Sequence, residues 1–363
     1  MNKRRVMAAV LAGVMGCSMI GCSGDKTADT TTSAEKTETT AALVETKASE
    51  AVGAVAGEWK PERSINAEIG YAAGGSTDSA LRPLFSIAEG IIGQTITVNN
   101  TSGASGSTSF QAAMEQAADG YTLVIGAETP ALFDAFDLSD YTYDDTEIIM
   151  VVASANNNIF VKADSPYQTI EELIDAEVAN PGSIVKVASG TCGTNANNSA
   201  IIKYFTGADF TAYTSDGASS AVTTVLGGFA DFGMGSLATL GDYIESGEIR
   251  VLCTVDKERI RDDIPCITEY YPEMEEYLPN TAFYAITVKE GTDPAIIEYY
   301  TEVFQQAFES SEYQDMLVNV GLTPLGLIGD EAREYIDTYR KNSISVLYDT
   351  GAITSSPADL GIE

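Results

Sequence analysis

The chain has 363 residues, with 20 basic side chains against 53 acidic ones, no histidine and a formal net charge of −33. The length suits two domains of ordinary size, and the charge leaves no basic footprint for nucleic acid. Without histidine, Ser-His-Asp and Cys-His nucleophiles and His-based zinc sites are excluded. So many carboxylates produce close acidic pairs by chance, so no glycosidase pair can be argued.

The first element is a leader over residues 1–21. Lys3, Arg4 and Arg5 form its basic start, and Val6 to Met15 an apolar run too short to span a bilayer. Met19-Ile20-Gly21-Cys22 resembles a bacterial lipobox, departing at its first position, where Leu is usual. This makes Cys22 the expected lipidated residue, with Cys17 in a poorer competing match and ordinary signal cleavage the plain alternative. Residues 22–58 then form a linker rich in Ser and Thr with no aromatic residue. Such a segment cannot bury a core and should stay disordered. As a coil it would reach roughly 30 Å. Behind Cys22 remain Cys192, Cys253 and Cys266, whose spacing fits no metal pattern; Cys253 and Cys266 could pair or stay free.

From Trp59 strands and helices alternate. Ile65 to Tyr71 reads as a strand, followed by a Gly-Gly loop and a helix from about Thr77 that contains an awkward Pro83. Thr95 to Asn99 is a strand, then comes Thr101 to Gly106, a helix through Ala118, and the strand Tyr121 to Ile125. This is the βαβαβ pattern of a parallel sheet. A second series follows residue 150. It has strands at Asn158–Val161, Ile184–Ala188, Ala230–Met234 and Ile249–Thr254. A capping box at Thr169 to Glu172 starts one helix, and Ala218 to Leu226 forms another that stops at Gly227-Gly228. The strand Ala282 to Val288, an apolar helical stripe from Ile296 to Phe308, and a last helix from about Asp330 to Tyr348 complete the chain.

Two segments carry chemistry. Tyr71-Ala72-Ala73-Gly74-Gly75-Ser76-Thr77-Asp78 and Ser189-Gly190-Thr191-Cys192-Gly193-Thr194-Asn195 each place glycines and hydroxyls between a strand and a helix start. Glycine lets backbone approach a ligand, hydroxyls donate, and the helix start presents unpaired N–H groups, so each is an anion cradle. Gly103 and Ala104 offer a third set of donors. Tyr71 and Tyr213 wall the cleft or pack; Asn197 donates to ligand or caps; Asp78 reads as a cap and dipole partner that could touch ligand. Arg82 reads as a structural ion pair. The full candidate set is Tyr71, Gly74, Gly75, Ser76, Thr77, Asp78, Gly103, Ala104, Gly190, Thr191, Gly193, Thr194, Asn197, Tyr213 and Ser215. No catalytic residue, metal or cofactor is expected.

The segments Trp59 to Asp78, Val98 to Gly126, Tyr143-Asp144, Ser189 to Thr194, Tyr213 to Gly228 and Ala285 to Pro294 resemble the Bug family, the extracytoplasmic receptors of tripartite tricarboxylate transporters. The resemblance implies an α/β, two-lobed periplasmic-binding-protein fold (Venus-flytrap, type II) with two crossover strands. Lobe 1 would hold residues 59–154 plus 286–363 and lobe 2 residues 155–285. It implies a bound di- or tricarboxylate gripped between the two cradles, and a large and a small transmembrane permease subunit as partners. The expected protein is a monomer, anchored by lipid on the outer face of the cytoplasmic membrane, with hinges near Val151–Ala155 and Thr281–Val288. A sensor subunit for a membrane kinase on the same fold is the alternative. Three positions depart from the family. Asn197 stands where the family has His. The loop Thr211 to Gly217 lacks the family's Lys, and Gly235-Ser236 replaces an Asp-Asn pair.

Overall fold

The computed structural model describes residues 59–362 apart from Ser189 and Asp216. The leader, Cys17, Cys22 and the linker lie outside the described residues. Among those described, no helix is long and apolar enough to cross a membrane.

Two sheets organise the chain. The first is built from β1 (Ile65–Ile69), β2 (Ile96–Asn100), β3 (Thr122–Gly126), β4 (Thr146–Ala155), β10 (Ala282–Lys289) and β11 (Thr323–Leu327). Its strand order is β11-β4-β10-β3-β1-β2. The second contains β5 (Asn158–Lys162), β6 (Val185–Ala188), β7 (Thr211–Thr214), β8 (Phe232–Gly235) and β9 (Ile249–Thr254), in the order β7-β6-β8-β5-β9. β1 is parallel to β2 and β3, and β6 is parallel to β7 and β8. These are the crossover units that the alternating sequence pattern predicts. β10 runs antiparallel between β3 and β4, and β5 antiparallel between β8 and β9.

The helices are α1 (Ser76–Ile92), α2 (Ser107–Met114), α3 (Ile170–Ala179), α4 (Thr194–Thr206), α5 (Ala218–Leu226), α6 (Leu237–Glu245), α7 (Pro294–Phe308), α8 (Ser311–Asn319) and α9 (Gly329–Asp349). α1 buries Ala80, Leu81, Leu84, Phe85 and Ala88, a stripe one helical face wide. The helix continues through Pro83 and stops at left-handed Gly93, whose N–H bonds to Glu89 O. At α3, Thr169 Oγ1 accepts from Glu172 N–H as the capping box requires, while the Glu172 carboxylate turns to the N–H of Gln168.

The first sheet packs α1 and α7 through Ile65, Ile69, Leu81, Phe85, Tyr300 and Phe304. The second has its own core around Ile159, Val161, Leu173, Ile201 and Phe232. The chain passes from one sheet to the other between Ala155 and Asn158. It has returned by Ala282, which pairs with Ala155. Cys192, Cys253 and Cys266 are buried free thiols, which settles the pairing that the sequence left open.

Candidate functional site

The loops at the carboxyl ends of parallel strands are where open α/β sheets hold ligands. Here the loops after β1, β3, β6 and β8 meet around one inner cavity, joined by the β4–β5 connection. The cavity is lined by Tyr71, Gly75, Ser76, Thr77, Glu128, Thr129, Asn156, Asn157, Thr194, Ala218, Ser236 and Tyr284, among others.

Four helices begin at this wall. α1, α4, α5 and α6 start behind Gly75, Gly193, Gly217 and Ser236, and none gives a hydrogen bond to an N-cap side chain, three of the caps being glycine. The first N–H groups of a helix have no intrahelical partner and carry a partial positive charge. The wall therefore offers backbone N–H donors although no Lys or Arg lines it. Ser76 Oγ lies 2.6 Å from Ser236 Oγ and 3.0 Å from Thr239 Oγ1, so α1 and α6 meet across the two sheets.

The fourth wall is acidic. Glu128, in the loop after β3, is 7% exposed. Its Oε1 accepts the Thr194 N–H at 2.9 Å. Burial pushes the Glu128 carboxyl above its ordinary value, against the hydrogen bonds that favour the charged form.

A second cavity adjoins the first, lined by Gly70, Tyr71, Gly103, Ala104, Ser105, Gly106, Gly190, Thr191, Thr214 and Ser215. Ser105 closes it: its Oγ accepts Thr191 N–H at 2.9 Å, and its carbonyl accepts the Tyr71 hydroxyl at 3.0 Å and Thr129 Oγ1 at 2.9 Å. Ala104 and Ser105 both have positive φ, at 46° and 57°, a conformation that costs L-residues about 1–3 kcal/mol each.

The sequence-predicted residues thus divide. Tyr71, Gly75, Ser76, Thr77 and Thr194 line the first cavity, and Gly103, Ala104, Gly190, Thr191 and Ser215 the second. Gly193 backs the first, pressed against Glu128. Gly74 gives its N–H to Asp78 Oδ2 at 3.0 Å. Asp78 also holds Arg82, at 2.5 Å, and Asn100. Asn197 is fully buried between Asn280 and Ser343. Neither Asp78 nor Asn197 lines the cavities, and Tyr213 is half exposed on the edge strand β7. Sequence reasoning missed Glu128, Asn157, Ala218, Ser236 and Tyr284. For Ala218 a signal existed, since Gly217-Ala218-Ser219-Ser220 repeats the glycine-and-hydroxyl helix start of the two cradles.

Burial opposes ionisation of Asp78, but the hydrogen bonds from Arg82, Gly74 N–H and Asn100 outweigh it and hold the carboxyl below its ordinary value. Such a group stabilises the fold above its unfolded pKa and loses that contribution as pH falls through the folded one. Asp78→Asn should therefore cost about 1 kcal/mol near pH 7, the half-exposed Arg82 being screened by solvent. The difference from wild type should shrink below about pH 4 in urea titrations across pH.

A two-lobed α/β fold whose strand-end loops converge on a small interior cavity defines a solute-binding protein. The sequence profile described as the tripartite tricarboxylate transporter family receptor matches residues 81–350, and the chain belongs to that family. Members are receptors, not enzymes. Among curated relatives, protein BugT of Bordetella pertussis is 26% identical over 306 residues, covering 82% of this chain and 92% of BugT. Among solved structures, R. palustris Rpa4515 with adipate superposes with a TM-score of 0.75 at 21% identity, covering 81% of this chain and 99% of that one. MatC from Rhodopseudomonas palustris with bound malate gives 0.71 at 18%, covering 80% and 99%.

Proposed function

We propose that the protein captures a small carboxylate in the first cavity and hands it to the large and small permease subunits of a tripartite tricarboxylate transporter. One observation carries this reading: the starts of α1, α5 and α6, none capped by its own N-cap side chain, converge with that of α4, whose Thr194 N–H is taken by Glu128, on a single cavity lined by no basic side chain. Adipate and malate in the two solved relatives support the carboxylate class. In this reading Gly75, Ser76, Thr77 and Thr194 touch the ligand from both lobes, residues 59–154 plus 286–363 and residues 155–285. The second cavity's loops form the closing contact, and bending near Val151–Ala155 and Thr281–Val288 opens the cleft. The lipobox-like Met19 to Cys22 supports tethering by lipid to the outer face of the cytoplasmic membrane, and we read the protein as a monomer.

Calorimetry against a panel of carboxylic acids tests this reading. Saturable binding of at least one acid is expected, and silence from all of them with heat from sugars would overturn it. Ala218 lines the cavity at the start of α5 and is only partly buried. Ala218→Phe should fill the space and weaken binding by more than about 100-fold, with an unchanged circular dichroism spectrum.

A further inference from the structure

The cavity's charge pattern is lopsided. Three helix starts, α1, α5 and α6, meet the space with hydroxyls from Ser76, Ser236 and Tyr284 beside them. α1 carries Asp78 in its first turn, where Arg82 pairs with it, and the fourth start, α4, has the carboxyl group of Glu128 on it with no cation beside it. Glu128 Oε1 sits 2.9 Å from Thr194 N, and an added Cβ on Gly193 would stand 2.5 Å from the same oxygen. Among the described residues no salt bridge reaches Glu128. The ionisable groups on which its charge acts are the Tyr71, Tyr143, Tyr284 and Tyr339 hydroxyls and the Cys192 thiol, none of them cationic.

Asn157 adds a second acceptor to the same cavity. It is 6% exposed and donates Nδ2 to Asn195 Oδ1 at 2.6 Å, while its own Oδ1 has no partner. A buried acceptor left unpaired is costly and is satisfied when a donor arrives. The cavity therefore offers donors on one side for a carboxylate and two acceptors, one of them a carboxylate, on the other. A dicarboxylate would bring its second negative charge against the Glu128 carboxyl with no basic residue lining the cavity to offset it.

We propose that Glu128 and Asn157 form an ammonium subsite, so that the captured acid carries one protonated amine besides its carboxylate, and that Glu128 determines this specificity. The inference deepens the carboxylate-capture reading and rests on it. The carboxylate sits at the start of α1, beside Ser76 and Thr77. The amine donates to Glu128 and to Asn157 Oδ1.

The experiment is calorimetry with the proteinogenic amino acids and, for each carbon skeleton, the matching hydroxy acid and dicarboxylate. The amine-bearing member of the best-bound set should win by at least about tenfold, as a charge-assisted hydrogen bond warrants. Glu128→Gln keeps an acceptor for Thr194 N–H and should erase that preference. Its melting curve, measured alongside, reports whether it folds; Asn157→Leu, which removes the other acceptor, should narrow the preference in the same direction. A dicarboxylate that outbinds every amino acid overturns the proposal while leaving carboxylate capture standing. So does a Glu128→Gln protein with an unchanged amine preference, or one that gains dicarboxylate affinity and loses no amino acid, for then Glu128 is only an internal plug of the cradle. Failure of every acid to bind overturns capture itself, and this inference with it.

Discussion

Gly193→Ala should abolish ligand capture, with affinity falling more than about 100-fold while the protein stays folded. Two effects separate here. Gly193 has φ +85° and ψ −160°, a region open essentially to glycine alone, so any side chain pays on the order of 1–3 kcal/mol of backbone strain. The larger effect is steric. The new methyl would lie 2.5 Å from Glu128 Oε1 and 2.7 Å from Thr129 Cγ2. Both atoms belong to the loop after β3, in the first sheet, whereas Gly193 follows β6 in the second. Neither lobe needs to unfold to relieve the clash; they need only stay apart, and separated lobes cannot both reach one small acid. Gly190→Ala should act likewise, because its methyl would stand 2.5 Å from Ser105 Oγ and 3.3 Å from the Ser105 Cα. Gly207→Ala is a control for positive φ without a clash. It sits in the left-handed helical region at φ 77°, ψ 0° and has no atom within 4 Å of the added carbon, so it should cost about 1–2 kcal/mol of strain and leave binding untouched. Calorimetry and small-angle scattering with and without ligand separate the cases. A Gly193→Ala protein that binds like wild type would show that the two loops do not approach in the bound state.

The elements that the sequence made legible carry their own punctuation. α5 begins after Gly217 and ends at Gly227, and β9 is a largely apolar stretch with β-branched Ile249, Val251 and Thr254 after the Gly247 turn; both have the boundaries that their residues predict. β4 escaped because it is buried at nearly every position, so Ile148 to Val152 shows neither alternation nor a helical stripe. β7 is exposed at all four residues and leaves no apolar pattern, and β11 holds Pro324 and Gly326, residues that edge strands tolerate but that read as breakers. The cradles could be read because a glycine and a hydroxyl before a helix state their chemistry locally. Glu128 could not. Its role comes from its distance to Thr194, 66 residues along the chain, and only the approach of two sheets creates that distance. Asn197 shows the opposite scale: three residues beyond Thr194, it shares a face with a cavity residue, and that face turns toward α9. Thr194 Oγ1 lies 3.4 Å from the Tyr339 hydroxyl and Asn197 Nδ2 2.9 Å from Ser343 Oγ, one α9 turn further on.

That placement makes Asn197→Ala a test of role. The Asn197 amide is fully buried and donates to Asn280 Oδ1 at 3.2 Å and to Ser343 Oγ at 2.9 Å. Asn280 stands two residues before β10, so one side chain ties α4 to both α9 and the returning crossover segment. Alanine removes two hydrogen bonds, strands a buried acceptor on Asn280 and leaves a small void. Together these should cost about 2–4 kcal/mol of unfolding free energy, offset in part because the native Asn197 Oδ1 has no partner of its own. The midpoint of urea unfolding should drop accordingly, while the ligand Kd of the folded variant changes less than about threefold. Loss of binding with stability intact would instead make Asn197 a ligand contact. Asn197→Asp sharpens the test through pH. Its carboxyl would be buried without a cation, so its folded pKa would rise above the unfolded value near 4. The folded form then holds the proton more tightly, and stability falls as pH rises through that window. This variant should therefore come closest to wild type in acid, where the protonated carboxyl can again donate to Ser343, and lose the most ground at neutral pH.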